Sequence, residues 1–311
     1  MRARSILLSA LEKTPRLLVK MGLNRIPGAR AVYYFFTELL WIWPGQSVRE
    51  IEGSKMYLNP HAKGPMRTAF RSFIRASGKE KLTTAVFKQA VKEGATVVDI
   101  GANIGYFTLL AARLVGKSGK VYAFEPEPGN YEVVLKNISL NGYDQVTPVQ
   151  KAVSHKKGKV KLYLSSTDVG AHTLREHHDH WQFDTKQSGD FVEVETVTMD
   201  EFFKDKLHPI DVIKMDCEGS EMAVLLGMGR VIKENPNLKM FIEFYPSAIE
   251  EMGYSPKEFV NKLLDNYGFS ITAIDELRSP EHRSIKIHGV DELMSLCADR
   301  ERIVNLFVER E

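Results

Sequence analysis

Four acidic residues each lie at the end of a short apolar run, namely Asp99, Glu125, Asp216 and Glu243. Carboxylates can remove a proton from a reacting group, hold a cationic group, or accept hydrogen bonds from the two hydroxyls of a ribose. In open parallel sheets, ligands bind beyond the carboxyl ends of the strands. We therefore expect the four acids to surround one ligand site.

The turn GANIG, which follows Asp99, indicates what that ligand is. A dinucleotide-binding turn needs a glycine in the middle of G-x-G-x-x-G, where this sequence has Asn103. Asp99 would also repel a phosphate, but it suits an amine, while Gly101 and Gly105 allow close backbone approach. Glu125 is placed to accept hydrogen bonds from a ribose diol. An amine-bearing nucleoside is predicted, and S-adenosylmethionine fits that description.

The elements that position these acids alternate as in a parallel sheet with crossover helices. The predicted strands are TVVDI, KVYAFEP, VTPVQKAV, DVIKMD, KMFIEFY, FSITAID and IVNLFVER. Helices are predicted over 105–115, 129–141, from about Ser220 through Ile232, and over 256–267. KVKLYL and FVEVETVTM form an additional hairpin around a histidine-rich loop.

A lead-in precedes this sheet. Residues 48–60 alternate like a hairpin with a glycine turn, and helical patterns follow over 65–77 and 79–92, the second with Gly94 as its C-cap. We divide the chain into a helical, basic and aromatic segment (1–47), the lead-in (48–94) and the main domain (95–311).

Four segments together resemble the FkbM family of S-adenosylmethionine-dependent methyltransferases: DIGANIGYFTLLAA, FEPEPGNYEVVLKNISLN, KAVS and IKMDCEGSE. The resemblance covers roughly Val48 to Asp275. It implies an α/β, Rossmann-like class I methyltransferase fold, with a seven-stranded sheet whose last strand is antiparallel. It also implies O-methylation of a hydroxyl on a sugar, glycan, polyketide or related small molecule.

The resemblance assigns the cofactor loop to 99–105, the ribose acid to Glu125 and the adenine-side segment to 152–154. Asn137 also matches a family position, although a cap or helix-surface contact explains it equally well. The cofactor-binding residues predicted are Asp99, Gly101, Ala102, Asn103, Gly105, Glu125, Pro126, Ala152, Val153 and Asp216.

Methyl transfer requires that the acceptor hydroxyl be aligned and lose its proton. Lys214 and Asp216 project to the same side of their strand because they are two residues apart. Asp216 is the predicted base or substrate-orienting group. Lys214 and Glu243 form either a structural ion pair or part of the acceptor site. No metal is predicted, although a metal-dependent variant would recruit Asp216 and Glu243 together with Glu218, an acid that otherwise suits the start of the next helix.

Histidines offer further candidates. His172 lies in STDVGAHTL and is an alternative base, since the ordinary pKa of histidine suits proton removal near neutral pH; a surface position is the other interpretation. His178 and His180 in REHHDHW have a spacing compatible with a metal, against the simpler interpretation of a solvated loop.

Composition limits the protein class. Over 311 residues the net charge is +2 and 43% of residues are hydrophobic, which favours a packed domain without a general affinity for nucleic acid. Two distant cysteines favour a reducing, cytoplasmic location. Residues 31–45 are strongly aromatic, and either pack on the domain or make a peripheral membrane contact.

Two other functions remain open at this stage. A non-catalytic cofactor-binding or membrane-associated partner protein would bind S-adenosylmethionine without transferring a methyl group. An NAD-linked oxidoreductase is disfavoured by the missing middle glycine.

Overall fold

The computed structural model describes residues 48–58, 80–165, 172–174, 187–205, 209–276, 283–298 and 302–310. The predicted helical segment 1–47, including residues 31–45, lies outside these ranges, as do the predicted helix 65–77 and the histidines His178 and His180. In the part of the chain that the structure describes, no helix is long and apolar enough to cross a membrane.

Thirteen strands form within the residues that the structure describes. They are β1 (Val48–Ile51), β2 (Ser54–Tyr57), β3 (Thr96–Ile100), β4 (Lys120–Phe124), β5 (Val146–Val149), β6 (Ala152–Val153), β7 (Gly158–Ser165), β8 (Gln187–Val197), β9 (Val212–Met215), β10 (Lys239–Phe244), β11 (Ser270–Asp275), β12 (Arg283–Ile287) and β13 (Val304–Glu309).

Nine α-helices and one π-helical turn lie within the described ranges. They are α1 (Lys81–Ala90), α2 (Tyr106–Val115), α3 (Pro128–Asn141), α4 (Met199–Phe202), α5 (Glu221–Leu226), α6 (Gly229–Glu234), α7 (Pro246–Glu251), α8 (Pro256–Asn261), the π-helical turn Lys262–Asn266 and α9 (Val290–Leu296).

The main sheet has the order β12-β11-β13-β10-β9-β3-β4-β5. Strands β5, β4, β3, β9 and β10 run parallel, and β13 is antiparallel to both of its neighbours, β10 and β11. Without β12, this is the seven-stranded sheet with an antiparallel last strand that the sequence predicted. The order reverses between β3 and β9, which places the expected ligand site beyond the carboxyl ends of these two strands.

The main sheet has eight strands, one more than the seven that were predicted. Residues Arg283–Ile287 form an eighth strand, which pairs antiparallel with β11 at the edge of the sheet. The predicted third strand is also divided: β5 closes the other edge, while β6 pairs with β8 in a separate three-stranded sheet. Pro148 in β5 has no N–H to offer a further strand, which is typical of an edge.

The hairpins and helices mostly follow the predictions. Strands β1 and β2 pair antiparallel, as do β7 and β8. Helix α1 ends at Ala90, before the predicted cap at Gly94. The helix predicted to run through Ile232 is two helices, α5 and α6, separated by Gly227 and Met228. A Cβ atom at Gly227 would lie 2.2 Å from the carbonyl oxygen of Ser154, so the break lies against the backbone of that residue.

The core lies on both faces of the central sheet. Residues Val98, Ile100 and Met215 belong to a large apolar cluster on one face, whereas Val97, Val212 and Phe241 pack with α1 and α2 on the other. Because side chains alternate along a strand, Asp99, Lys214 and Glu243 project towards the second face. On this face, each of the three strands thus carries an apolar residue followed, two positions later, by a charged residue near its carboxyl end.

Candidate active site

The loop between β3 and α2 turns sharply because three of its residues have left-handed backbone conformations. The φ angles are 79° at Gly101, 52° at Asn103 and 94° at Gly105. The N–H groups of Gly101 and Ala102 both donate to the carbonyl oxygen of Phe124, at 3.0 Å. These bonds hold the loop against the end of β4, where Glu125 follows.

Gly101 also lies directly against the strand that carries the predicted base. A Cβ atom at this position would be 1.8 Å from the carbonyl oxygen of Asp216. The N–H of Asp216 donates to the carbonyl oxygen of Ile100 at 3.0 Å. The predicted cofactor loop and the predicted catalytic residue therefore share a backbone contact that only glycine permits.

Asp99 lies beneath this loop, with only 2% of its surface exposed. Its Oδ2 accepts a hydrogen bond from Oγ1 of Thr108 at 2.6 Å, and its register partner in β9 is Lys214. Burial raises the pKa of Asp99, an effect that Lys214 and Thr108 oppose. The carboxyl group of Asp99 is therefore enclosed against α2 rather than open to the surface.

Glu125 is held at the end of β4 by two backbone donors. Its Oε2 accepts from the N–H of Asn103 at 2.7 Å, and its Oε1 accepts from the N–H of Glu127 at 2.9 Å. Pro126 is the residue between Glu125 and Glu127. Burial raises the pKa of Glu125 to about 8, although both hydrogen bonds favour the carboxylate. Glu127 in turn caps α3 by accepting from the N–H of Asn130.

Asn103 supplies an acceptor that the described residues leave unused. Its Oδ1 is buried and has no hydrogen-bond partner among them. A buried polar atom of this kind is rare in a folded protein unless a ligand or water completes it. The loop therefore presents an acceptor beside the strand-end acid Glu125, which fits the amine and hydroxyl donors of S-adenosylmethionine.

Asn137 in α3 supports the loop from below and has no exposed surface. Its Nδ2 donates to the carbonyl oxygen of Ile104 at 2.7 Å, and its Oδ1 accepts from the N–H of Tyr57 at 2.6 Å. The predicted cap or helix-surface contact is thus a buried bridge between the β1–β2 hairpin and the cofactor loop.

Ala152, Val153 and Ser154 follow the carboxyl end of β5 and are all buried. The N–H of Ser154 donates to the carbonyl oxygen of Val197, which fixes the segment to β8. Their assignment to the adenine side of the cofactor stays a prediction.

An ion pair between a buried lysine and a partly exposed acid lies at the carboxyl end of β9. Nζ of Lys214 donates to Oδ2 of Asp216 at 2.8 Å and lies 4.8 Å from the centre of the Phe107 ring. The Lys214 side chain is 3% exposed, whereas that of Asp216 is 28% exposed. Burial by itself lowers the pKa of Lys214, but the attraction of Asp216, Glu80 and Asp99 outweighs it and raises the pKa. Lys214 is therefore a fixed positive charge behind an accessible carboxylate.

The sequence predicted, as one interpretation, a structural ion pair between Lys214 and Glu243. The structure instead pairs Lys214 with Asp216. The register partner of Lys214 in β10 is Phe241, so Glu243 lies one side-chain position further along the same face. Burial is the main reason why the pKa of Glu243 is raised well above its usual range, and the neighbouring acids Asp216 and Glu218 add to this effect. In its protonated form, Glu243 can donate a hydrogen bond beside the Lys214–Asp216 pair.

Three acids meet at the ends of β9 and β10. Carboxylate oxygens of Asp216, Glu218 and Glu243 lie within 4.8 Å of one another. These are the residues that a metal-dependent variant would recruit. Acidic groups of this kind are common without an ion, so their proximity assigns no metal by itself.

The β7–β8 excursion reaches this site through Thr173, whose Oγ1 donates to the carbonyl oxygen of Glu218 at 3.1 Å. The neighbouring His172 accepts a hydrogen bond at Nδ1 from the N–H of Ser165, at 3.0 Å. Because Nδ1 accepts, the proton of a neutral imidazole is on Nε2. This geometry favours His172 as a hydrogen-bond donor rather than as the alternative base.

Sequence reasoning missed two polar residues that shape the site, Thr108 and Glu221. Thr108 is fully buried on α2 and Glu221 is 1% exposed at the start of α5. Thr108 is a small polar residue between apolar neighbours in the helix YFTLLAARLV, and a polar residue in a mostly apolar stretch was the available signal. Glu221 was hidden because an acid at a helix start is ordinary.

The family model described as the methyltransferase FkbM domain matches residues 99–271, more than half of the chain. Methyltransferase sdnD from Sordaria araneosa is 28% identical over 199 residues, which is 57% of this chain and 74% of that protein. A protein-L-isoaspartate O-methyltransferase from Methanococcoides burtonii is 37% identical over 59 residues, 19% of this chain and 29% of that protein.

Solved structures are more distant. Methyltransferase FkbM from Methylobacillus flagellatus has 16% identity and a TM-score of 0.39, with 78% of this chain and 53% of that chain covered. A methyltransferase from Streptococcus mutans in complex with SAH has 11% identity and a TM-score of 0.43, with 75% and 98% covered.

Proposed function

Because the chain belongs to the FkbM methyltransferase family, whose cofactor is S-adenosylmethionine, we propose that it transfers a methyl group to a hydroxyl of a sugar, glycan or related small molecule. The observation that carries this proposal is the Lys214–Asp216 pair, in which a partly exposed carboxylate belongs to a residue whose backbone lies against the cofactor loop. The bound cofactor supplies a methyl group that is already activated by the positive sulfur.

The cofactor would be held by the loop 101–105 and the acids on either side of it. Asp99 places a negative charge beneath the loop, where it favours the cationic amino acid end. Asn103 Oδ1 offers a buried acceptor. Glu125 accepts the ribose hydroxyls, which replace or share the two N–H donors that it holds in this structure.

The protein's main task in the chemical step is to align the acceptor hydroxyl and take its proton. Asp216 is the group suited to this task, since its side chain is partly exposed and Lys214 holds one of its oxygens. Asp216 would accept the proton of the acceptor hydroxyl. The bound cofactor would supply the methyl carbon, whose bond to sulfur would break as the bond to the acceptor oxygen forms, with S-adenosylhomocysteine as the leaving product. Glu243, whose pKa is raised by burial, would in its protonated form donate a hydrogen bond that orients the acceptor.

We propose O-methylation because the site offers carboxylates and a buried ammonium, a set that suits a neutral hydroxyl acceptor. The partner is thus a small molecule or glycan rather than nucleic acid. A cytoplasmic location, with or without a membrane contact through residues 31–45, belongs to the same proposal.

The test is incubation of the protein with S-adenosylmethionine carrying a labelled methyl group and a panel of methyl glycosides, glycan extracts and hydroxylated secondary metabolites. Mass spectrometry should show one added methyl group on an acceptor oxygen. The Asp216→Asn variant should retain cofactor affinity within a few-fold while its kcat falls at least about 100-fold, the usual contribution of a general base.

Two outcomes would contradict the proposal. Cofactor binding without transfer to any member of the panel would favour the non-catalytic cofactor-binding protein. Near-normal turnover by Asp216→Asn would exclude Asp216 as the base.

A further inference from the structure

Glu221 is a buried acid whose role the proposed reaction does not explain. It is the first residue of α5, and only 1% of its surface is exposed. Its Oε1 accepts from the N–H of Cys217 at 3.0 Å and from the N–H of Gly219 at 3.3 Å. Its Oε2 is buried and has no hydrogen-bond partner among the described residues. A buried carboxylate is costly, so an acid here indicates that the two accepted hydrogen bonds matter.

The two N–H groups belong to the turn that carries the reactive acids. Cys217 and Gly219 are the neighbours of Glu218, and Cys217 directly follows Asp216. Glu218 has a φ angle of 55° and Gly219 one of 98°. A left-handed conformation is strained for a residue other than glycine. The turn therefore requires contacts from its surroundings to keep this shape.

Three other contacts hold the same turn from outside. The backbone of Gly101 lies against the Asp216 carbonyl, and a Cβ on Gly219 would lie 2.9 Å from the carbonyl oxygen of Ala248 in α7. Thr173 donates to the carbonyl oxygen of Glu218. Glu221 differs from these three contacts, because a single atom, its Oε1, accepts from two N–H groups of the turn.

We propose that Glu221 is a positioning residue for methyl transfer, which holds the turn 216–219 so that the carboxylates of Asp216 and Glu218 face the acceptor. The inference rests on the proposed function of Asp216. It differs from a purely structural role, because it places the effect on the chemical step and not on cofactor binding. It also makes one atom, the accepting Oε1, responsible for that effect.

Three variants test the inference. Glu221→Met removes the acceptor while keeping a side chain of similar length. Glu221→Gln keeps an oxygen that can accept both N–H groups and places its amide nitrogen where Oε2 lies. Asp200→Ala is the matched control: Asp200 accepts from the N–H groups of Arg230 and Val231 at the start of α6, outside the site.

Glu221→Met should lower kcat about 10- to 100-fold, as expected when catalytic groups are displaced by about 1 Å. Its Kd for S-adenosylmethionine, measured by calorimetry, should stay within a few-fold of wild type. Glu221→Gln should restore kcat to within a few-fold of wild type. Asp200→Ala should lower the melting temperature while leaving kcat and Kd unchanged.

Hydrogen exchange provides a readout that needs no acceptor. The amides of Cys217 and Gly219 should exchange faster in Glu221→Met than in wild type and Glu221→Gln, whereas Asp200→Ala should leave them unchanged. If Glu221→Met does not fold, Glu221→Asp is used instead. Its side chain is one methylene shorter, so its carboxylate lies further from the two N–H groups of the turn.

The two proposals fail in different ways. Absence of methyl transfer by the wild type would contradict the proposed function, and the exchange rates would still test the turn. Wild-type kcat or wild-type exchange at the two amides in Glu221→Met would overturn the positioning role. A parallel loss of kcat and cofactor affinity in Glu221→Met and Asp200→Ala would also overturn it, since it would show a general loss of stability.

Discussion

Replacing Gly101 by alanine should disturb the cofactor loop and the acceptor turn together. The added Cβ would lie 1.8 Å from the carbonyl oxygen of Asp216, about half the distance of about 3.5–4.0 Å at which non-bonded carbon atoms rest. The neighbouring atom is backbone, so no side chain can turn away to relieve the overlap. Either β3 and β9 separate at their carboxyl ends or the loop changes its path.

The magnitude has two parts. The φ angle of 79° at Gly101 costs alanine about 1–2 kcal/mol. Forcing an extra carbon into a packed site costs about a further 1–3 kcal/mol. The sum, about 2–5 kcal/mol, corresponds to a decrease in melting temperature of about 4–20 °C for a domain of this size.

Gly142→Ala is the matched control. Gly142 caps α3 with a φ angle of 62°, and nothing lies within 4 Å of the Cβ that alanine would add. This variant should show only the backbone cost, about 1–2 kcal/mol, and should bind the cofactor normally.

The measurements are melting temperature by calorimetry, Kd for S-adenosylmethionine and kcat. Gly101→Ala should lose more stability than Gly142→Ala and should weaken cofactor binding at least about tenfold, which corresponds to about 1.4 kcal/mol. Equal melting temperatures and wild-type affinity in both variants would refute the close contact between the loop and β9.

Three further predictions concern the cofactor side and the acid cluster. Cofactor affinity should increase up to about tenfold per pH unit as the pH rises towards about 8, because only ionised Glu125 accepts both ribose hydroxyls, and titration calorimetry of Glu125→Gln should show no such dependence. The same raised pKa means that the Glu125 contribution to stability is fully present below its usual pKa of 4.5 and is lost as the pH rises through about 8. Asn137→Ala leaves a carbonyl of the cofactor loop and an N–H of β2 unpaired, so urea unfolding should show a loss of about 2–4 kcal/mol, against about 1 kcal/mol or less for Asn141→Ala near the surface. Turnover should be insensitive to EDTA, because Lys214 already occupies an oxygen of Asp216 in the acid cluster; inactivation by EDTA that Mg²⁺ reverses would contradict this expectation.

Much of the fold was predictable because its signals are local. Buried parallel strands are continuous apolar runs, so β3, β4, β9 and β10 were all found. The strand β12 was missed because it lies at an edge, where a strand is recognised by its pairing with β11 rather than by its own pattern. The break at Gly227 was missed because one glycine does not by itself end a helical pattern, and its close approach to the backbone of Ser154 exists only in the folded chain.

The same division applies to the site. The acids at the strand ends could be identified because strand boundaries and the alternation of side chains place Asp99, Asp216 and Glu243 at one edge. The pairing of Lys214 with Asp216 rather than with Glu243 depends on register and on side-chain path, which no local pattern contains. The buried supports Asn137 and Glu221 likewise have partners that are defined only once the chain is folded.

The sequence by itself thus determined the class of fold, the edge of the sheet at which ligands bind and the chemical types that meet there. These properties follow from periodicity and residue type along short stretches of chain. Only the tertiary structure decided which charged side chains pair and which acids have a pKa raised by burial. It also decided where two backbones approach so closely that glycine is required. Those outcomes depend on desolvation and on distances of a few ångströms between segments that are remote in sequence.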